Sequence, residues 1–282
     1  MSGPSGLPVG DLLAVDEVTV DLPVPSRALA IGAHPDDIEF GCGATLARWA
    51  AAGCQVHHLV LTDGSKGSWD PNRDLTALVN DRAAECRAAA AVIDGAPGPG
   101  TRSDNRVLFL GAVDGELING VDERRAVCRV IRRVRPVVVL GHDPWRRYRL
   151  HPDHRNAGFL TIDALVAARD PHFFPDIPLA PHRPEAMLLW EPDLPNHVED
   201  ATGFETIKID ALLCHQSQQT TTMGIDPSYR LEAPAPADGV SRPGIDHPDA
   251  SAFAAKVRHQ LAAHGALVSL LAGEAFHLMN DL

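Results

Sequence analysis

No two cysteines in this chain stand at Cys-x-x-Cys spacing. The five present (Cys42, Cys54, Cys86, Cys128 and Cys214) are odd in number and widely scattered. That excludes a disulfide frame or a thiolate zinc site and reads as buried thiols in a reducing compartment. No apolar run approaches the roughly 20 residues needed to cross a bilayer, so membrane insertion is not expected. The N-terminus is acidic and lacks the basic stretch and apolar core of a secretory signal, which makes the cytoplasm the expected location. A basic stripe is missing too: the formal net charge is −12, and with nothing to neutralise phosphates a nucleic-acid partner is disfavoured. There is no Gly-x-Gly-x-x-Gly fingerprint, no internal repeat and no low-complexity tract. What remains is ordinary globular composition, 45% hydrophobic and 22% charged over 282 residues, enough for one large α/β domain.

Short apolar runs alternate with longer helical patterns. Strands are expected at Ala28 to Ala33, Gln55 to Thr62, Val107 to Leu110, Val137 to Leu140, Ala186 to Trp190 and Thr206 to Ile209, with Val18 to Leu22 an edge strand. Helices are expected at Gly43 to Gly53, Leu75 to Ile93, Val121 to Arg135, Arg155 to Arg169 and Ser251 to Leu271. That alternation predicts βαβ units and a Rossmann-like, mostly parallel sheet flanked by helices, in a single domain with a long C-terminal loop and helix. Residues 1–26 read as a lead-in and 27–282 as the domain. Thr221 to Ala250 is Pro-, Gly- and Asp-rich without a period, the pattern of either a pocket rim or a surface insertion.

Two polar clusters interrupt this pattern, each behind a strand-like run. His34-Pro35-Asp36-Asp37 follows Ala28 to Ala33, and His151-Pro152-Asp153-His154 lies about a hundred residues on. Carboxyl ends of buried strands are where open α/β sheets place their sites. Two imidazoles and a carboxylate make a catalytic zinc set with one position left for water. Three ligands can be drawn from His34, Asp36, Asp37, His151, Asp153 and His154. Asp36 and Asp37 point to opposite sides of an extended segment and are not expected to share one role. The plain alternative is a turn or helix N-cap, positions that Asp favours.

Ala33-His34-Pro35-Asp36-Asp37 with Glu39, Gly41 and Gly43, followed by His151-Pro152-Asp153-His154, resembles the PIG-L, or LmbE-like, family of zinc-dependent de-N-acetylases. The likeness runs over residues 28–220 and takes in Thr62-Asp63-Gly64, Arg82 with Glu85, Asp114-Gly115, Lys208 and His215-Gln216-Ser217-Gln218. The resemblance implies one zinc ion per chain, with other divalent metals open. It also implies removal of an N-acetyl group from a small-molecule substrate, typically an N-acetylglucosamine-type sugar or conjugate. By matching position, His34, Asp37 and His154 would hold the metal, and Asp36 would be the general base. A protonated His151 would stabilise the oxyanion, while Asp153 orients His151 or caps the following helix. Arg82, Asp114 and His215 fall at substrate-side positions. Tyr148 is the candidate for a tyrosine that some members place directly before the second motif, although Arg149 and Leu150 intervene here. The arginines of Trp145 to Arg149 suit either an anionic substrate group or the chain's own acids. His142, after the fourth core strand, is a further candidate near the site. Two rival readings are an amidase acting on a thiol conjugate or natural-product intermediate, and a non-catalytic nucleotide-binding Rossmann protein. Oligomeric state, including a homo-oligomer, is left open.

Overall fold

The computed structural model describes residues 18–95, 106–225 and 248–282. Most of the irregular stretch at 221–250 and of the lead-in therefore lies outside the described residues. One eight-stranded sheet carries the fold, in the order β1-β7-β8-β6-β5-β2-β3-β4. Its strands are β1 (Thr19–Val20), β2 (Arg27–Gly32), β3 (Gln55–Thr62), β4 (Val107–Ala112), β5 (Val138–His142), β6 (Ala186–Trp190), β7 (His197–Asp200) and β8 (Gly273–Met279). All pairings are parallel except those of β8, which runs antiparallel between β6 and β7.

Alternation along the central strands explains the layers. Ala28 and Ala30 of β2 face one way, with Val56 and Val60 of β3 and Val138 and Leu140 of β5. They pack beneath α1 (Asp37–Ala51) and α2 (Leu75–Ile93). Leu29, Ile31, Leu59, Leu61 and Val139 face the other way, beneath α3 (Val121–Val134) and α4 (Pro152–Arg169). Successive strand residues point to opposite faces, so a strand buried on both sides reads as an unbroken apolar run. Small alanines on the α1 side let that helix come close to the sheet.

Two sequence expectations are corrected. Thr206 to Ile209, read as a strand, lies inside α5 (Glu205–Leu213). The alternation Thr206-Ile207-Lys208-Ile209 is one turn of a helix packed on α1 and α2, and periodicity cannot separate strand from helix over so short a window. The terminal helix, α6 (Pro248–Gly265), ends six residues before Leu271, and β8 follows it. After a short 3-10 turn the chain reverses at Ser269 (φ 62°) and folds back onto Gly265, where a Cβ would lie 2.8 Å from Leu270 O and from the Ala272 carbonyl carbon. No helix among the described residues is long and apolar enough to cross a membrane.

The topology positions the site. From β2 the chain winds to β3 and β4 on one side, then returns to place β5 on the other. The crevice above the carboxyl ends of β2 and β5 is thus the switch point where such sheets bind ligands. His34 to Asp37 leave β2 there, and His142 ends β5. The amino end of α4 is held against β5 by Gly158, where a Cβ would lie 2.6 Å from His142 O.

Candidate active site

The turn after β2 is built to free its carboxylates. Pro35 fixes one φ, and Asp36 sits at φ 121°, a strained region for any residue with a side chain. Asp36 occupies the N-cap of α1, yet its carboxylate makes no capping bond. The capping alternative therefore fails for this residue. Instead the His34 N–H donates to Asp37 Oδ2 at 2.7 Å, closing the turn. Arg82, buried on α2, clamps the turn from behind, donating to Pro35 O (2.7 Å) and Gly64 O (2.9 Å). Its Nη2 stands 3.6 Å from Asp36 Oδ1.

The two sequence clusters meet. His34 Nδ1, His154 Nε2 and the Asp37 carboxylate converge, with separations of 3.2 Å between the imidazoles, 3.4 Å from His34 to Asp37 and 3.2 Å from His154 to Asp37. Neighbouring ligand atoms around a tetrahedral zinc with bonds of about 2.0–2.1 Å lie ~3.3 Å apart. The donor spacing is close to that, with Asp37 turning Oδ1 to His154 and Oδ2 to His34, so these residues could hold a divalent cation. His151 and the pair Asp114 and Asp153 offer further donor atoms around His34.

The donors' far sides are also held. His34 Nε2 faces Asp153 Oδ2 at 3.1 Å and Asp114 Oδ1 at 3.2 Å. Burial alone pushes the His34 pKa down, but the carboxylates of Asp114, Asp153 and Asp37 raise it well above the usual imidazole value. That excess of negative charge is what a bound cation would balance. Asp37 is held well below the usual carboxylate range. Burial opposes this, and the imidazoles of His154 and His142, each within hydrogen-bond distance of the carboxylate, outweigh it. His142 Nδ1 accepts from Trp190 Nε1 at 3.1 Å, which leaves its proton on Nε2, 3.1 Å from Asp37 Oδ2. Burial lowers the His142 pKa to about 4, so the ring stays a neutral donor.

Several expectations change at this point. Asp153 orients His34 and not His151: its oxygens accept from Gly115 N (2.6 Å) and Leu117 N (3.2 Å) and face His34. Nor does it cap α4; the cap is His151, whose Nδ1 accepts from Asp153 N at 3.3 Å. Among the described residues no carboxylate hydrogen-bonds to the His151 ring. Burial and the neighbouring His34 and His154 lower its pKa. With Nδ1 accepting from Asp153 N, the ring proton of His151 sits on Nε2.

Tyr148 does not reach the cavity; it is 97% exposed at φ 58° on the outside of its loop. His215, expected beside the substrate, is fully buried with Nε2 at 3.3 Å from Glu39 Oε2, and Gln218 lines the cavity in its place. Arg82 and Asp114 do line it. The loop arginines pair with the chain's own acids, Arg146 and Arg149 with Glu191 and Arg147 with Asp193.

The cavity over this cluster measures about 480 Å³. Its floor is His34, Asp36, Asp37, His151 and His154. Its rim includes Lys66, Trp69 and Gln260, together with Gln218 of the His215 segment and with Thr221 and Thr222 at the start of the stretch read as a pocket rim or a surface insertion; Trp69 and Gln260 were not singled out by sequence reading. The signal for Trp69 was a large apolar residue inside a polar loop directly behind a strand, a setting typical of binding loops.

Comparison with known proteins identifies the family. The PIG-L family profile, described as GlcNAc-PI de-N-acetylase, matches residues 29–165. The diacetylchitobiose deacetylase of Thermococcus kodakarensis is 34% identical over 195 residues, covering 68% of this chain and 70% of the relative. The 1D-myo-inositol 2-acetamido-2-deoxy-alpha-D-glucopyranoside deacetylase of Streptomyces griseus is 31% identical over 282 residues, covering 93% of this chain and 80% of the relative. The crystal structure of N,N'-diacetylchitobiose deacetylase from Pyrococcus horikoshii superposes with a TM-score of 0.73 at 25% identity, covering 91% of this chain and 84% of that one. With both motifs assembled at one switch point and these relatives alongside, the chain belongs to the PIG-L family of metal-dependent de-N-acetylases.

Proposed function

We propose that this chain hydrolyses the acetamide of an N-acetylglucosamine-type amino sugar or its conjugate, with zinc held by His34, Asp37 and His154. One observation carries the reading: three metal donors converge at 3.2–3.4 Å beside the Asp36 carboxylate, on the floor of one cavity. Zinc in such a site supplies Lewis acidity, polarising a carbonyl and bringing the pKa of water towards neutrality.

The chain's own residues account for the proton traffic. Burial raises Asp36 to about 6, with Arg82 opposing and the neighbouring Asp37 adding to the shift. A carboxyl poised there suits a general base near neutral pH. Its carboxylate takes the proton of the attacking water and hands it to the departing amine nitrogen, so acetate and a free amine leave. The Nε2–H of His151 donates to the acetamide oxygen as charge builds on it. Arg82 keeps the Asp36 turn in its strained conformation. Asp114 and Asp153 keep the His34 ring oriented, and His142 does the same for Asp37. The substrates of the two sequence relatives, both N-acetylglucosamine-type sugars joined to a second ring, support this choice of substrate.

Acetate release from such sugars should stop on chelation and return on adding zinc. Removing a metal donor (His154→Ala) should lower bound zinc, whereas His151→Ala should keep zinc near one per chain and slow turnover. Full metal retention in His154→Ala would refute the ligand assignment.

A further inference from the structure

Three titratable side chains that the proposed chemistry leaves unused meet in the interior, and none of them lines the cavity. Glu39 stands in the first turn of α1, His58 in β3 and His215 just after α5. All three are at most 1% exposed. Glu39 is the third residue after the Asp36 N-cap, the place from which a glutamate commonly bonds back to the cap amide. Here both of its oxygens face other partners. Oε1 lies 3.8 Å from His58 Nδ1 and Oε2 3.3 Å from His215 Nε2.

Neither contact has the geometry of a hydrogen bond. Both Glu39 oxygens, and both ring nitrogens of His58 and of His215, are buried without a hydrogen-bond partner among the described residues. A buried polar atom left unpaired forfeits the bonds it makes to water, and six in one place would cancel much of a domain's net stability. The cluster therefore fits a ligand that both donates and accepts. A metal ion is the wrong occupant. Every group of described donors close enough to share an ion lies at the site above, and none includes Glu39, His58 or His215. Water suits the cluster, because it bridges polar atoms held beyond direct bonding distance and needs only a few such partners.

The cluster joins two segments of the active site. Phe40, next to Glu39, makes the first bond of α1, its N–H donating to Asp36 O at 3.1 Å. A fixed Glu39 thus fixes the turn that carries Asp36. On the other side, His215 O accepts from Gln218 N at 3.0 Å, and Glu85 accepts from Ser217 N and Oγ at 2.8 and 2.6 Å. Gln218 Nε2 in turn donates to Gly67 O at 3.1 Å, and Gly67 lies against Arg82, so the Trp69 turn is tied to the same segment. Burial lowers the His215 pKa, but the carboxylates of Glu39, Asp36 and Glu85 outweigh it, which puts the ring within the field of Asp36.

We propose that Glu39, His58 and His215 enclose an internal water site, and that this hydrated cluster pins the first turn of α1 and with it the Asp36 carboxylate. His58 and His215 are then positioning residues, and neither touches substrate or metal. The water site stands on the buried side chains alone, whereas the positioning role rests on the deacetylase reading above. A displacement of about 1 Å can cost on the order of 10²-fold in rate. Loosening the cluster therefore lowers turnover and leaves metal and substrate binding intact.

The test uses zinc-loaded protein. High-resolution diffraction from wild-type crystals should show a fully occupied water within about 3.2 Å of Glu39 and of at least one of the two rings. Rings bonded directly to Glu39 with no solvent density between them, or an anomalous metal signal there, would overturn the site. Turnover is read as acetate released from N,N'-diacetylchitobiose. His58→Leu removes both ring nitrogens and should lower kcat about 10- to 100-fold, with KM within about twofold and zinc near one per chain. His58→Gln keeps a donor and an acceptor and should recover most of that loss. A role confined to stability would lower the melting temperature of His58→Leu and leave kcat untouched, which would overturn the positioning role. If His58→Leu does not fold, His58→Gln decides alone. Its crystals should retain the water with kcat lowered less than about tenfold, and loss of the water with wild-type kcat would overturn the positioning role. Wild type that releases no acetate would overturn the deacetylase reading and the positioning role with it, and the density then decides the water site.

Discussion

At the scale of single residues, adjacent side chains of the same type do different work because the backbone turns between them. Asp36 and Asp37 are neighbours, yet Asp37 faces two imidazoles and is held strongly ionised, while Asp36 faces the cavity and is pushed up to about 6. The strained φ of 121° at Asp36 produces the split. Replacing Asp36 by Asn should therefore leave bound metal unchanged and reduce kcat by about 10²–10⁴-fold, the usual cost of losing a general base. Metal analysis beside steady-state kinetics checks this. Loss of metal in Asp36→Asn would mean that the two carboxylates have exchanged roles. Tyr148 and His215 show the opposite case. Their places in the chain suited substrate contact, but one points to solvent and the other pairs with Glu39 in the interior.

At the scale of elements, α1 is two short helices joined at Cys42, whose φ of −151° breaks the ladder. The freed N–H groups of Ala44 and Thr45 donate to the Glu274 carboxylate on β8, at 3.2 and 2.8 Å. Lys208 on α5 neutralises that buried acid at 2.5 Å and donates to Phe40 O at 2.7 Å. The cap is thus supplied by a strand some 230 residues away, which is why no local capping signal marks it. The break lets Gly41 approach the Trp190 indole, to which a Cβ would come within 2.5 Å. Gly41→Ala should displace Trp190 and weaken its hydrogen bond to His142. The expected cost is about 1–3 kcal/mol of stability, as for other overpacked cores, with lower turnover and altered tryptophan fluorescence. An unchanged melting temperature and spectrum would show that the ring moves aside freely.

At the scale of the whole molecule, the sheet buries imidazoles that the unfolded chain exposes. Burial, followed by nearby positive charge, lowers His57 to about 4. Burial likewise lowers His142 to about 4, although Asp37 opposes it. In the unfolded chain both titrate near 6.5. Below that value the unfolded state binds protons that the folded state refuses, so stability falls as pH drops from about 6.5 towards 4. The depressed carboxyls of Asp37, Asp114 and Asp153 carry the loss on below about pH 4, while Asp36, raised to about 6, offsets part of it between about 6 and 4. The melting temperature should therefore decline steadily across that window; a flat profile from pH 6.5 to 4.5 would contradict the burial of these rings in the folded protein.

The sequence by itself determined the parallel α/β core and the family. Strands buried on both faces must read as short apolar runs, as Ala28 to Ala33 and Gln55 to Thr62 do. A polar site at strand ends must break such runs with His and Asp, as His34 to Asp37 do after β2 and His142 and Asp143 do at the end of β5. These signals are local, so one chain suffices to see them. Long-range packing decided the rest. That β8 inserts antiparallel between β6 and β7 depends on Gly265 and on pairing partners distant in sequence. That Asp153 holds His34 and leaves His151 free depends on the backbone amides of Gly115 and Leu117 arriving from a different loop. Trp69 joins the cavity because the turn holding it is packed between Arg82 and Gln218. Each of these is a contact between segments far apart along the chain, and no periodicity or spacing within either segment records it.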